Sequence, residues 1–196
     1  MKKHLIISFF VIIGTVAHAQ FGVKGGINMA ILQGSNVISD RKKALFGYYA
    51  GISYNIRMDE SFSIRPELYY STQGVKYKGE SMSERFVFGY MNLDLLVPYK
   101  SASGFFFGLG PQVGFLLNAK DKVSGNADVN IKNQMKDADF AIVATIGSEM
   151  NSGFCIHARY NHGLTTTAKT PNTKVFNRVI QIGICYQFSS GSRTKQ

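Results

Sequence analysis

Residues 154–188 read FCIHARYNHGLTTTAKTPNTKVFNRVIQIGICYQF. In the second arm Ile180, Ile182, Ile184, Tyr186 and Phe188 alternate with Val179, Gln181, Gly183, Cys185 and Gln187. In the first arm Phe154, Ile156, Ala158 and Tyr160 alternate with Cys155, His157, Arg159 and Asn161. Side chains in a strand point to opposite faces with period two, so each arm has one apolar and one polar face. The stretch reads as an amphipathic hairpin. Whether its apolar face meets a protein core or lipid decides the fold.

The same alternation recurs upstream in 21–32, 46–58, 61–77, 85–99, 104–118 and 138–150, which with the final hairpin makes eight strands. In 21–32, for example, Phe21, Val23, Ile27 and Met29 alternate with Gly22, Lys24, Gly26 and Asn28. The connections alternate between long (33–45, 78–84, 119–137, 165–174) and short (59–60, 100–103, 151–153). An even strand number, short turns at one end and longer loops at the other describe a bacterial transmembrane barrel with short periplasmic turns. Both chain ends then fall on the periplasmic side. Pro66 and Pro111 cannot donate to a ladder, which predicts bulges or strand ends at those points.

The rival is a soluble secreted barrel with its apolar face inward around a ligand. The strands exceed the ~5–6 residues usual in soluble sheets and reach the ~9–11 needed to cross a bilayer. The polar face carries Gly, Ser, Asn and Gln with a few charges of both signs, rather than the dense Lys and Glu of a solvated surface. Small residues with scattered polar groups suit the narrow interior of eight strands. Phe62, Tyr99, Phe105, Phe154, Tyr186 and Phe188, with Phe21, fall near the proposed periplasmic rim as an aromatic girdle. The expected fold is all-β: an eight-stranded antiparallel up-and-down transmembrane β-barrel. Lipid leaves no backbone group unpaired, so strand 21–32 must close on strand 175–188.

Residues 1–19 have the parts of a secretory signal: Lys2 and Lys3, the apolar run Leu5 to Val16, then Ala17-His18-Ala19, which predicts cleavage before Gln20. The barrel domain is then 20–188 and the tail 189–196. The formal charge of +10 permits a nucleic-acid partner only if Lys and Arg cluster. Here they scatter, and export argues against such a partner. The expected location is the outer membrane, with its lipid and lipopolysaccharide as partners. Outer-loop cations (Arg41, Lys42 and Lys43; Lys169 and Lys174) could attract lipopolysaccharide phosphates.

No catalytic arrangement, cofactor motif or metal-ligand spacing stands out. His157 is assigned to the lumen and His162 to the outer end of its strand, with no nucleophile–base partner for either. The expected lumen network comprises Lys24, Arg57, Arg65, Glu67, Asp94, Glu149, His157 and Arg159, with Asp139 and Arg178 as further members. It reads as a salt-bridge and hydrogen-bond plug in preference to a pore, because buried charges must be paired and larger barrels are the ones that leave a channel. Cys155 and Cys185 share the polar face of neighbouring strands. They form either a cross-strand disulfide or two lumen-filling thiols.

The ordered segments GVKGGINMA (22–30), IRPELYYSTQGVKY (64–77), YMNLDLLVPYK (90–100), GPQVGFLLNAK (110–120), DFAIVATIGSEM (139–150), ARYNHGLTTT (158–167) and NRVIQIGICYQF (177–188) resemble the outer membrane beta-barrel family that includes PorT-like proteins of the Bacteroidota. The lack of a catalytic arrangement predicts no enzyme, and the resemblance implies an eight-stranded outer-membrane barrel. It also implies a structural or accessory envelope role, with envelope or secretion proteins as partners. The alternative function is a loop-mediated binding or adhesion module at the cell surface. Barrels of this sort commonly end on an aromatic residue, whereas here SSGSRTKQ follows Phe188.

Overall fold

The computed structural model describes residues 19–34, 42–78, 83–123, 127–170 and 174–188. Nearly all of the expected leader, and the tail 189–196, lie outside them. The strands are β1 (Ala19–Gly34), β2 (Lys42–Arg57), β3 (Ser63–Lys78), β4 (Ser83–Lys100), β5 (Phe105–Val123), β6 (Val129–Asn130), β7 (Ala138–Glu149), β8 (Phe154–Gly163) and β9 (Val175–Gln187). Every strand of the wall is antiparallel to its neighbours, and β9 closes on β1 with Ile27 opposite Ile182. β6 stands outside this ring of eight and pairs only with the end of β5. Closure leaves the wall without an open edge, which is the condition for a sheet in lipid. Among the described residues no helix is long and apolar enough to cross a membrane.

Alternation sets the two faces. Phe46, Ile27, Ile182, Leu109, Phe107 and Ile184 are more than half exposed on the outside, whereas Asn28, Ser71, Asn92 and Gln181 are buried inside. This is the inverse of a soluble core, and it assigns the apolar face to lipid. The strands run further than the alternation alone indicates. β1 and β2 take both ends of the stretch read as loop 33–45, and β5 continues to Val123. The extra residues carry the wall beyond the ~9–11 residues a bilayer needs.

The prolines depart from expectation. Pro66 pairs opposite Leu95, and Pro111 opposite Ile142, both in unshifted register and mid-strand. On the other side of each proline the ladder is interrupted. The β2–β3 pairing passes from Ser53↔Glu67 to Ile56↔Ile64, and β4–β5 from Asp94↔Gln112 to Val97↔Leu109. The missing N–H is absorbed by a local gap instead of an added residue. The register shifts fall elsewhere, between Ala44 and Tyr49 and between Gly89 and Tyr90.

The short turns are tight. Gly104 (φ 87°) and Gly153 (φ 86°) close two of them in the left-handed region that favours glycine. In the third, Asp59 accepts backbone N–H bonds from Ser61 and Phe62, each at 2.7 Å, and these hold its carboxyl below the usual carboxylate range. With a depressed folded pKa, its support of the turn is present at neutral pH and is lost on acidification. Above these turns Phe21 stacks with Phe188, Phe62 meets Tyr99, Tyr99 meets Phe107, and Tyr186 meets Phe188.

At the opposite end the long connection folds back into the barrel. The β5–β6 ribbon and a single 3-10 turn at Lys132–Gln134 bring Ile131 and Met135 into a buried cluster with Leu32, Val75, Phe88, Tyr90, Leu116, Ala119 and Val175. Backbone bonds tie this connection to the next loop, Lys136 N–H to Thr167 O at 2.8 Å and Lys169 N–H to Gln134 O at 3.0 Å. The outer mouth therefore has an apolar stopper, where a polar loop is the expectation from sequence.

The lumen is also less uniformly small than expected. Tyr49, Tyr69, Tyr90, Phe88 and Phe106 are fully buried in it. Glycines make the room: Gly51 lies opposite Tyr69, and Gly26 opposite Tyr49. A methyl on Gly51 would sit 2.2 Å from Tyr69 Cβ and 2.3 Å from Leu68 O, whereas one on Gly25, on the outer face, would meet nothing closer than 3.4 Å. Gly51→Ala is therefore expected to destabilise by about 1–3 kcal/mol, the usual overpacking range, and Gly25→Ala to be near neutral. Urea titration in lipid vesicles, read by the gel mobility of folded barrel, checks both. Equal effects would remove the packing role given to Gly51.

Candidate functional site: the filled lumen

Register places Glu67 of β3 directly opposite Asp94 of β4. Two like charges in that position repel, and both are buried. Arg159, from β8 across the barrel, resolves the conflict: its two terminal nitrogens donate to Glu67 Oε2 at 2.9 Å and Asp94 Oδ2 at 2.7 Å. Lys24 Nζ of β1 donates to the same Glu67 oxygen. Two cations and two carboxylates thus neutralise one another in a layer sealed from solvent. Lys24 Nζ also stands 4.0 Å from the Tyr69 ring centroid, and the Arg159 guanidinium 5.3 Å from it. Tyr69 Oη in turn accepts bonds from Gln112 at 2.7 Å and Asn161 at 3.2 Å.

Other expected members of the network lie elsewhere. Arg65 is buried but makes no ion pair among the described residues; it donates to Asn55 Oδ1 at 3.1 Å and stacks 5.3 Å from Phe106. Glu149 sits at the short-turn mouth, where it pairs with Lys100 at 2.6 Å. Arg57 is exposed and is the last residue of β2. Asp139 joins an uncharged group near the outer end, with Asn177 at 2.8 Å and Thr165 at 2.7 Å. Arg178 falls on the outer face by alternation and donates to Gly163 O and Asn177 O.

His157 is buried, and its Nε2 shares a hydrogen bond with Tyr49 Oη at 2.7 Å. Cys155 and Cys185 are directly opposite, with Cα atoms 4.9 Å apart, and their side chains meet as a cross-strand disulfide. The two sulfurs and one His157 nitrogen lie within 4.8 Å of one another, the donor set of a soft-metal site. With the sulfurs joined there is no thiolate to ligate, so this trio could hold a metal only after reduction.

Among the described residues two cavities in the lumen are each of about 10 Å³, the space of roughly one water. One is bordered by Tyr90, Asn92, Asn161 and Asn177, each with a buried polar atom lacking a protein partner. The other is lined by residues of the charge layer. Neither is a channel. Alternation assigns Lys24, Arg65, Glu67, Asp94, His157 and Arg159 to the inside, and Tyr49, Tyr69 and Phe106 with them, since each occupies the polar phase of its strand; what alternation does not state is that these aromatics fill the lumen.

The sequence profile of the outer membrane protein beta-barrel domain matches residues 17–169. Among solved structures, Neisserial surface protein A (NspA) is similar with a TM-score of 0.61 at 16% identity, covering 87% of this chain and 99% of that one. Ail, the attachment invasion locus protein of Yersinia pestis, is similar with a TM-score of 0.51 at 14% identity, with the same coverages. At these identities the likeness concerns the fold. No curated protein matches the chain in sequence.

Proposed function

The chain belongs to the outer membrane protein beta-barrel domain family, and from that membership we propose a closed, non-enzymatic barrel with a structural or accessory role in the cell envelope. Its place is the outer membrane, and the proposed route there is export on the leader 1–19. The observation that carries the reading is the filled lumen. Lys24, Glu67, Asp94 and Arg159 span it from four strands, and Ile131 and Met135 stop its outer mouth. Such an interior serves to hold the wall together, while the surfaces left for partners are the outer connections and the lipid belt. The PorT-like segments support a finer assignment, an accessory part in protein secretion with envelope proteins as partners. Lipopolysaccharide is the proposed lipid partner.

Planar-bilayer recording tests the closed lumen. Purified protein is expected to give no stable open conductance, and a reproducible open channel would refute the plug. Crosslinking in intact outer membranes followed by affinity capture tests the accessory role, with secretion components as the expected catch. A second reading, loop-mediated surface binding, is favoured by the ordered outer connection with its β5–β6 ribbon and ties to 167–169. Loss of adhesion on shortening 124–136, with no envelope partner captured, would replace the first reading with the second.

A further inference from the structure

Four cations stand in one row across four adjacent strands. Lys43 of β2 is directly opposite Lys76 of β3, Lys76 opposite Arg85 of β4, and Arg85 opposite Lys122 of β5. Directly opposed residues share a face. Val75 is buried in the mouth cluster and Phe86 packs against it, so their neighbours Lys76 and Arg85 point outward. Like charges directly opposite destabilise a ladder, and here three such pairs run consecutively. Asp128 relieves only the end of the row, 2.9 Å from Lys122 Nζ and 3.7 Å from Lys120 Nζ. Lys43, Lys76 and Arg85 make no ion pair among the described residues.

Height tells what could neutralise them. Phe62 lies in the periplasmic girdle, and Lys76 follows it by ~14 residues along β3. At ~3.3 Å per residue and a tilt near 40° this is about 35 Å. That lies beyond the ~30 Å hydrocarbon layer and within the ~40–45 Å that includes headgroups. The row also sits just past the outward apolar residues Phe46 and Leu117. At ~4.8 Å between strands it extends about 14 Å along the membrane surface. An aqueous counter-ion would need no such placement. A fixed array of cations at headgroup depth on the lipid-facing wall matches a phosphorylated headgroup of the outer leaflet.

We infer that Lys43, Lys76, Arg85 and Lys122 form a binding site for a phosphorylated outer-leaflet glycolipid, held by its phosphates against the wall of β2–β5. The inference rests on the membrane reading but not on the closed lumen, so an open channel in bilayer recording leaves it standing. It differs from attraction by the outer loops, because the cations belong to strands in fixed register and flank lipid.

The test compares wild type with K76Q/R85Q and with a loop control, K132Q/K169Q. Each mature protein is folded in nanodiscs of neutral phospholipid containing either phosphorylated or dephosphorylated lipid A, and bound lipid is counted by native mass spectrometry. Folding of each variant is verified first by gel mobility. The expected result is retention of phosphorylated lipid A by wild type and by the loop control, with roughly a 5-fold loss per removed cation in K76Q/R85Q. A second readout is unfolding by urea. In neutral lipid K76Q/R85Q is expected to be as stable as wild type or more so, because like-charge repulsion is relieved; with phosphorylated lipid A it becomes the less stable. Equal retention of the dephosphorylated lipid, equal loss in the loop control, or no change in K76Q/R85Q would each overturn the site.

Discussion

Arg159→Met is expected to destabilise the folded barrel by about 3–5 kcal/mol, the range for breaking a buried pair and leaving its partner uncompensated. Among the described residues Arg159 alone is joined to both Glu67 and Asp94, and its side chain is 1% exposed. Without it the two opposed carboxylates face each other, with Lys24 paired to Glu67 and no ion pair to Asp94 among the described residues. The quadruple variant Lys24→Met, Arg159→Met, Glu67→Gln, Asp94→Asn removes both cations and both carboxylates of the layer. It should recover much of the loss, since replacing a whole buried ionic group is often close to neutral. Urea titration in vesicles, followed by gel mobility and tryptophan-independent circular dichroism, measures both variants. If the single variant unfolds at the wild-type midpoint, the charge layer is not what secures the lumen.

Reducing the Cys155–Cys185 bridge is expected to cost about 3.5 kcal/mol. The bond closes a loop with a sequence separation of 30, and releasing such a loop from the unfolded chain has roughly that entropic value in the chain-entropy model. Wild-type protein should therefore unfold at lower urea with a dithiol reductant present, whereas Cys155→Ala/Cys185→Ala should be indifferent to reductant. Alkylation of envelope-derived protein under denaturing, non-reducing conditions provides the direct count. Two labelled thiols per chain would end the disulfide interpretation, and their absence is the expected outcome. The bridge joins the inner ends of β8 and β9, beside the Tyr49–His157 pair. Its loss should therefore act on the final hairpin more than on the distant mouth.

The hairpin 154–188 shows how far reading by alternation reaches. Ile180, Ile182 and Ile184 on one face, and Gln181 and Cys185 on the other, are where period two puts them. Opposition of Cys155 and Cys185 follows from a register centred on residue 170. Arg178 shows the limit. Its charge suggested the lumen, but alternation from Ile180 requires the outside, and the side chain follows the backbone to Gly163 O. Arg57 is a second limit, since phase alone does not say where the wall ends.

The repeat of period two, the eight-strand count, the alternation of short and long connections, and hence which face meets lipid are all legible along the chain. These are local properties, because side-chain direction in a strand depends only on position along it. The rest depends on which residues from distant strands share a height in the closed barrel. Arg159 reaches Glu67 and Asp94, 92 and 65 residues away, because closure brings β8 across from β3 and β4. Ile131 and Met135 leave a polar loop for the mouth cluster because the barrel end offers apolar partners there. Lys43, Lys76, Arg85 and Lys122 look scattered along the chain and become a row only through the register of four strands. Shear and register are collective quantities of a closed sheet, and no single stretch of sequence states them.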